Sequence, residues 1–326
     1  MKAELKNTNI LKPTTGVSDP YGRGDWRSNR SALERYYYNM FKYRCRRFTE
    51  WALFKIGKRL FFDYLRGFAF YERGFQNAGR IVLNQIPIEV SNLPAAFESY
   101  KILHITDLHL DSLAGVEETI CELIDGIPFD LCLFSGDYTR AMAGPFEHIL
   151  DRVKKIVDAV DARDGVYATL GNHDTHRMVE AFEKMGITFL INETISIYRG
   201  KEKIGVTGID DPHLYLTDQA VEALHAAKDG FKIALVHSPE LYDVAADCGF
   251  DLYLCGHTHG GQICLPNGTP LVTHLKHGRQ FFQGLWKHAG MTGYTNPGAG
   301  VVSLPLRYNT QSEIARITLR GGNIHY

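Results

Sequence analysis

From Ser99 onward the chain alternates short apolar runs with small polar clusters. KILHIT leads to Asp107-Leu108-His109, DLCLFS to Gly136-Asp137, and VYATL to Gly171-Asn172-His173-Asp174. KIALV then leads to His237-Ser238, and DLYLC to Gly256-His257-Thr258-His259. Unbroken apolar runs bounded by Gly, Pro or Asp are the pattern of strands buried on both faces. Between them lie helical stripes, clearest in Phe146, Ile149, Leu150, Val153, Ile156, Val157 and Val160, with Asp151, Lys154, Lys155 and Asp158 on the other face. Strands alternating with helices predict an α/β core. Residues 1–30 hold Pro13, Gly16, Pro20, Gly22 and Gly24 with few aliphatics and read as a flexible tail. From Leu33 to Phe68 the apolar positions Leu33, Tyr37, Met40, Phe41, Phe48, Trp51, Phe54, Phe61, Leu65 and Phe68 recur mostly at helical steps, with Lys and Arg opposite. Three parts follow: the tail at 1–30, a basic, aromatic, amphipathic helical region at 31–95, and a main domain at 96–326.

Composition sharpens this division. A chain of 326 residues with 44% hydrophobic and 22% charged residues is not a disordered polypeptide. The formal net charge is -1, yet residues 21–80 carry 14 Lys/Arg against 5 Asp/Glu and 17 of the 38 aromatics. Such a helix suits a membrane interface, its rings among headgroups and its cations against anionic lipid. It equally suits packing on the main domain with a solvated basic face, and Lys/Arg with aromatics also suits single-stranded nucleic acid. No apolar run approaches the ~18 residues of a membrane-spanning helix. Arg46-Arg47-Phe48 is reminiscent of a twin-arginine export signal, but Glu50, Lys55, Lys58 and Arg59 break any apolar core behind it. The six scattered cysteines form no C-x-x-C pair and read as free thiols of a reducing compartment.

The strand ends carry the chemistry. In open α/β sheets, sites form outside the carboxyl ends of strands. Here those ends supply Asp107, His109, Asp137, Asn172, His173, His237, His257 and His259. Carboxylates with imidazoles suit Mn, Fe or Zn. The candidates are too many for one tetrahedral ion and fit a two-metal phosphate-cleaving site. Each piece alone is weak: Gly136-Asp137 is a common turn, and Asn172 or Asp174 suits a helix cap. Gly256-His257-Thr258-His259-Gly260-Gly261 is the most specific, because glycines flank two histidines one residue apart. Together, in order and each after a strand, they point to a metal centre. His104, within KILHIT, reads as a buried histidine. His213, His225, His274, His277, His288 and His325 default to surface or core, Asp210 and Asp211 to a turn. Arg140 is close enough to Asp137 in sequence to reach a substrate phosphate with its forked donors, or to be a surface arginine. Gln280 to His288, with Phe281, Phe282 and Trp286, walls an apolar pocket or is an ordinary strand.

These blocks resemble the calcineurin-like metallophosphoesterases, whose pattern is D-x-H, GD, GNH followed by D or E, an isolated H, and GH-x-H. All five stand here in order. Gly208 to Pro212 (GID-D-P), Gly256 to Gln262 (GHTHGGQ) and Asn296 to Gly300 (NPGAG) are similar to the bacterial branch of small membrane-associated phosphodiesterases, which includes UDP-2,3-diacylglucosamine hydrolases of lipid A synthesis. The resemblance covers about Tyr100 to Leu319. It implies an α/β sandwich of two mixed sheets flanked by helices, with the N-terminal helical extension added, and two divalent ions, manganese first, with iron or zinc as alternatives. One ion is held by Asp107, His109, Asp137 and His259; Asp137 bridges to a second held by Asn172, His237 and His257. His173 then faces substrate, oriented by Asp174, and protonates the leaving oxygen.

These expectations make the chain a two-metal phosphoester or pyrophosphate hydrolase, peripheral at the inner, cytoplasmic face of a membrane and docked through residues 33–68. The substrate is a lipid-linked phosphoester such as UDP-2,3-diacylglucosamine, cut to UMP and the acylated sugar 1-phosphate. No nucleic-acid partner is expected and no protein partner is deducible. A soluble cyclic-nucleotide or nucleic-acid phosphodiesterase is the alternative, and a non-catalytic binding scaffold the alternative of another class.

Overall fold

The computed structural model describes residues 23–44, 57, 60, 70–228 and 230–322. The buried apolar runs form two six-stranded sheets. In the first, the order is Ile81–Val90, Ser312–Gly321, Lys101–Ile105, Leu131–Phe134, Val166–Ala168 and Ile187–Phe189. Only the Ser312–Gly321 and Lys101–Ile105 pair is antiparallel, with Ala315 opposite His104. In the second, the order is Gly284–His288, Met291–Thr295, Leu252–Cys255, Phe231–Leu235, Glu202–Gly208 and Glu193–Arg199. Its two edge pairs are antiparallel and its centre is parallel. The expected sandwich of two mixed sheets flanked by helices is what forms.

The central strands bury both faces, which is why KILHI, LCLF and LYLC lack a polar alternation. Ile102, Leu131, Leu133, Ile204, Val206, Ile233, Leu235, Leu252 and Leu254 fill the space between the sheets. The outer face of the first sheet is covered by helices Val116–Ile124, Leu150–Ala159 and Met178–Glu183, whose Ile120, Val153, Ile156 and Phe182 are fully buried. The second is covered by Asp218–Ala226 and Tyr242–Asp247 through Leu224 and Ala245. The sheets therefore align the carboxyl ends of their parallel strands along one rim, where the polar clusters sit. His104 is buried with Nε2 2.9 Å from Ser135 Oγ, as a structural histidine.

Two boundaries move. A helix spans Gly24–Arg44, so residues 24–30, expected in the tail, form its first turns, with Asp25 placed favourably against the helix dipole. This helix packs on the domain, and its buried face is polar: Arg30 and Glu34 are buried, and the Tyr37 ring meets Tyr215 at 5.8 Å. An apolar-stripe count misses that face because charged residues occupy it. Strand Ile81–Val90, expected in the extension, pairs with Ser312–Gly321 over ten residues and belongs to the first sheet. The rest of the amphipathic stretch, 45–68, lies outside the described residues apart from Gly57 and Leu60. No helix among the described residues is long and apolar enough to cross a membrane.

Candidate metal centre

The rim is built from loops that leave the strands abruptly. Asp107, His109, Asp137, His257 and His259 all have positive φ, between 36° and 73°. A non-glycine residue in that region is strained, and such strain gathers at functional sites. Glycines let the loops close on one another. A Cβ on Gly171 would lie 2.2 Å from Asp137 Oδ1, and one on Gly256 would lie 2.2 Å from Asp107 Oδ2. These two positions of the GNHD and GHTHG clusters therefore need glycine for close approach.

The loops bring the expected ligands into two adjoining groups, Asp107 with His109 and His259, and Asp137 with His237 and His257. His109 Nε2 is 3.2 Å from His259 Nε2, and His259 Nε2 is 3.3 Å from Asp107 Oδ1. In the second group His237 Nε2 lies 3.3 Å from Asp137 Oδ2 and 3.1 Å from Asn172 Oδ1. His257 Nδ1 is 2.8 Å from the same Asn172 oxygen. Asp137 Oδ2 also lies 3.5 Å from His109 Nε2, so this carboxylate stands between the groups, where a bridging ligand belongs.

Backbone carbonyls set the tautomers. His109 Nδ1 donates to Thr139 O and His237 Nδ1 to Ser135 O, both at 2.7 Å, which turns each Nε2 into the site. Asp107 Oδ2 accepts from the His257 amide and Thr106 Oγ1, while the buried Oδ1 has no hydrogen-bond partner among the described residues. Burial holds His109 down to about 4, and holds His257 and His259 well below the usual histidine value. Burial, reinforced by Asp137, pushes Asp107 up to about 6. Burial also opposes charge on His237, but Asp137 and Asp107 outweigh it and raise that imidazole well above its ordinary value. Converging lone pairs, an unpartnered buried carboxylate oxygen and a cation-seeking pocket fit divalent ions.

The expected relation between His173 and Asp174 is corrected. Asp174 is fully buried and accepts three backbone amides, from Asp137 and Gly171 at 2.7 Å and Tyr138 at 2.9 Å. Its carboxylate is consumed in tying the GD turn to the GNHD turn. His173 is held by a different group: Nδ1 donates to the Arg140 carbonyl at 2.5 Å, leaving Nε2 4.0 Å from Asp137 Oδ2. Arg140 thus contributes its backbone, and its side chain is exposed. Asp211 caps the Pro212–Tyr215 helix, as a turn residue should, but Asp210 accepts from Arg30 and Trp26. His213, expected on the surface or in the core, packs its ring at a tilt against that of His257, centroids 4.4 Å apart, and pairs Nδ1 with Glu240 at 3.0 Å.

Sequence reasoning missed Arg307. Fully buried, it donates to the carbonyls of His259, Pro297, Gly298, Gly300 and Gln311, fastening the GHTHG loop to the NPGAG loop. The NPGAG loop in turn donates from Gly300 N to Asp107 O at 2.8 Å. The NPGAG string was a signal for that buttress; nothing in the pattern around Arg307 marks it.

The model of the calcineurin-like phosphoesterase family matches residues 100–261. The chain is 31% identical over 245 residues to the uncharacterized metallophosphoesterase YkuE of Bacillus subtilis, covering 72% of this chain and 84% of that one. It is 28% identical to the phosphodiesterase YaeI of Escherichia coli over 232 residues, 68% of this chain and 82% of that protein. Among solved structures, a 5'-nucleotidase precursor from Thermus thermophilus superposes with a TM-score of 0.41 at 13% identity, covering 67% of this chain and 54% of its own length.

Proposed function

The chain belongs to the calcineurin-like phosphoesterase family and is a metal-dependent phosphoester hydrolase; from that premise we propose that its substrate is a lipid-linked phosphoester or diphosphate, of which UDP-2,3-diacylglucosamine is the specific case. Asp107, His109, Asp137 and His259 would hold one divalent ion, and Asp137, Asn172, His237 and His257 the second. Oxygen and imidazole donors without thiolate suit manganese, iron or zinc, of which we take manganese as the working choice. Bound there, such ions neutralise phosphate charge and acidify a water.

The protein's own groups do the rest. Water attacks the phosphorus next to uridine, the bond to the sugar phosphate oxygen breaks, and UMP separates from the acylated sugar 1-phosphate. His173 supplies the leaving oxygen with a proton from Nε2, because its Nδ1 is occupied by the Arg140 carbonyl. The exposed Arg140 side chain stands at the rim as a candidate phosphate contact.

One observation carries the lipid reading. The segment after the GHTHGG loop forms a tongue that exposes Leu265, Leu271 and Val272 by 46%, 60% and 53%. Its Pro270 packs on Gly261, where an added Cβ would come within 2.4 Å of the proline Cβ. The exposed Lys276 and Arg279 follow on the same segment. Aliphatic groups beside cations, next to a phosphate-cleaving centre, suit an anionic bilayer and acyl chains. The basic, aromatic residues 33–68 add to that attraction, so we place the protein at the cytoplasmic face of a membrane as a peripheral enzyme.

The double variant L271D/V272D tests this. On vesicles of anionic lipid carrying the diacylated UDP-sugar, turnover should fall at least tenfold, about the effect of 1.4 kcal/mol of lost interfacial binding. Hydrolysis of bis(p-nitrophenyl) phosphate in solution should be unchanged. Equal activity of variant and wild type on vesicles would refute the lipid reading and favour a soluble phosphodiester; the Escherichia coli relative is named a phosphodiesterase.

A further inference from the structure

The N-terminal helix lies against the loop that carries Asn172 and His173, and it grips that loop through charged groups. Arg30 is 1% exposed. Its Nη2 donates to the carbonyls of Gly171 and Asp174 at 2.9 and 3.0 Å. Its Nη1 donates to Asp210, and its guanidinium carbon sits 3.4 Å from the centre of the Tyr215 ring. One turn further on, Glu34 accepts from Thr175 Oγ1 at 2.9 Å, from the His176 amide at 2.7 Å and from His176 Nδ1 at 2.9 Å. Residues 171–176 are therefore held from outside by this helix, while Asn172 on their inner side meets His237 and His257.

A buried guanidinium is costly to desolvate, and simple packing of a helix is served as well by apolar groups. What an arginine adds is a planar fork of donors with fixed spacing. Here one arm of the fork spans two carbonyls three residues apart, Gly171 and Asp174, and so fixes the turn between them. That turn aims Asn172 and His173. Loss of a group that orients a metal ligand from behind typically costs about 10- to 100-fold in metal affinity.

We propose that Arg30 is a positioning residue of the metal centre: by fixing the Gly171–Asp174 turn it presents Asn172 to the second ion, which makes the N-terminal helix part of the metal-binding apparatus. This holds whatever the substrate is, so failure of the lipid reading leaves it standing.

The test uses the full chain with R30A, R30K and, as a control on the same helix, the exposed Arg35→Ala. Manganese binding is followed by titration with electron paramagnetic resonance and by metal analysis, and kcat and KM are measured on bis(p-nitrophenyl) phosphate. In R30A the manganese affinity of one site should fall about 10- to 100-fold while that of the other is kept. Turnover should drop with little change in KM and return with excess manganese. R30K, which keeps the charge without the fork, should fall between R30A and wild type, and R35A should match wild type. Wild-type manganese affinity at both sites in R30A would overturn the proposal, even with a lowered melting temperature, because the arginine would then only anchor the helix. Should R30A fail to fold, R30K decides: unchanged second-site affinity there overturns it equally.

Discussion

Replacing His173 by alanine separates proton donation from metal binding. The histidine amide donates to Asp137 Oδ1 at 2.8 Å, and that bond survives in alanine because it is made by the backbone. Its imidazole stands 4.0 Å from the nearest Asp137 oxygen and contacts the chain through the Arg140 carbonyl. Removal of the ring should therefore leave both ligand groups intact and two metals bound. Loss of a positioned general acid costs about 10²- to 10⁴-fold in rate, roughly 3 to 5 kcal/mol of transition-state stabilisation. The size of the loss should depend on the leaving group. An alkoxide needs the proton most and should show the upper end of that range. A p-nitrophenolate leaves readily without it and should show the lower end or less. The assay is a pair of diesters, one with an alkyl and one with a nitrophenyl leaving group, measured alongside metal content. Metal falling from two ions to one would make His173 a ligand. An equal loss on both substrates would remove it from the proton transfer.

Asp174→Asn should behave differently from His173→Ala, because the carboxylate accepts three amides and an amide side chain turns at least one donor against a donor. One buried unsatisfied N–H costs about 1–3 kcal/mol, so a lowered melting temperature and weaker metal binding are expected, with no added sensitivity to the leaving group; such a sensitivity would restore the idea that Asp174 orients His173. Metal binding should also release protons near neutral pH. In the metal-free protein Asp137 and Asp107 overcome burial and hold a proton on His237, whose raised pKa keeps it charged there, and an incoming cation must displace that proton. Calorimetry in buffers of different ionisation enthalpy should show about one proton released and an affinity that rises with pH; proton uptake, or no buffer dependence, would contradict it.

The parts of the site that were legible in the sequence are those where chemistry is carried by a residue type at a strand end. Asp107, His109, Asp137, Asn172, His237, His257 and His259 each follow an apolar run, and the parallel strands bring them to one rim. The two sheets were legible for the same reason, since strands buried on both faces have no polar positions. What was not legible depends on which backbone atom a side chain finds. Asp174 is adjacent to His173, and adjacency suggested a pair, yet three amides compete for the carboxylate and win. Arg140 reads as a phosphate contact or a surface arginine, and nothing in either reading shows that its carbonyl holds the histidine. Arg30 sat in a segment whose glycines and proline suggested a loose tail, and a single arginine carries no periodicity to show that it is buried.

Arg30 and Arg307 share a physical role that explains how the rim tolerates its own strain. Five of the seven expected metal ligands hold left-handed backbone conformations, and such residues persist only where the surroundings over-determine them. Left alone, loops of this kind would relax toward ordinary dihedrals and scatter the ligands. Arg307 fastens the His259 side by its donors to five carbonyls, and Arg30 fastens the Asn172 side by its donors to two. Between them lies Asp174, with its three amides pulling the Asp137 and Gly171 turns together. Buried charge placed on main-chain carbonyls and amides fixes loop shape without occupying any group that a cation needs. The His109 nitrogen and the Asp107 and Asp137 carboxylates are therefore held toward one another by the chain's own hydrogen bonds, so that less of the free energy of metal binding is consumed in ordering the loops.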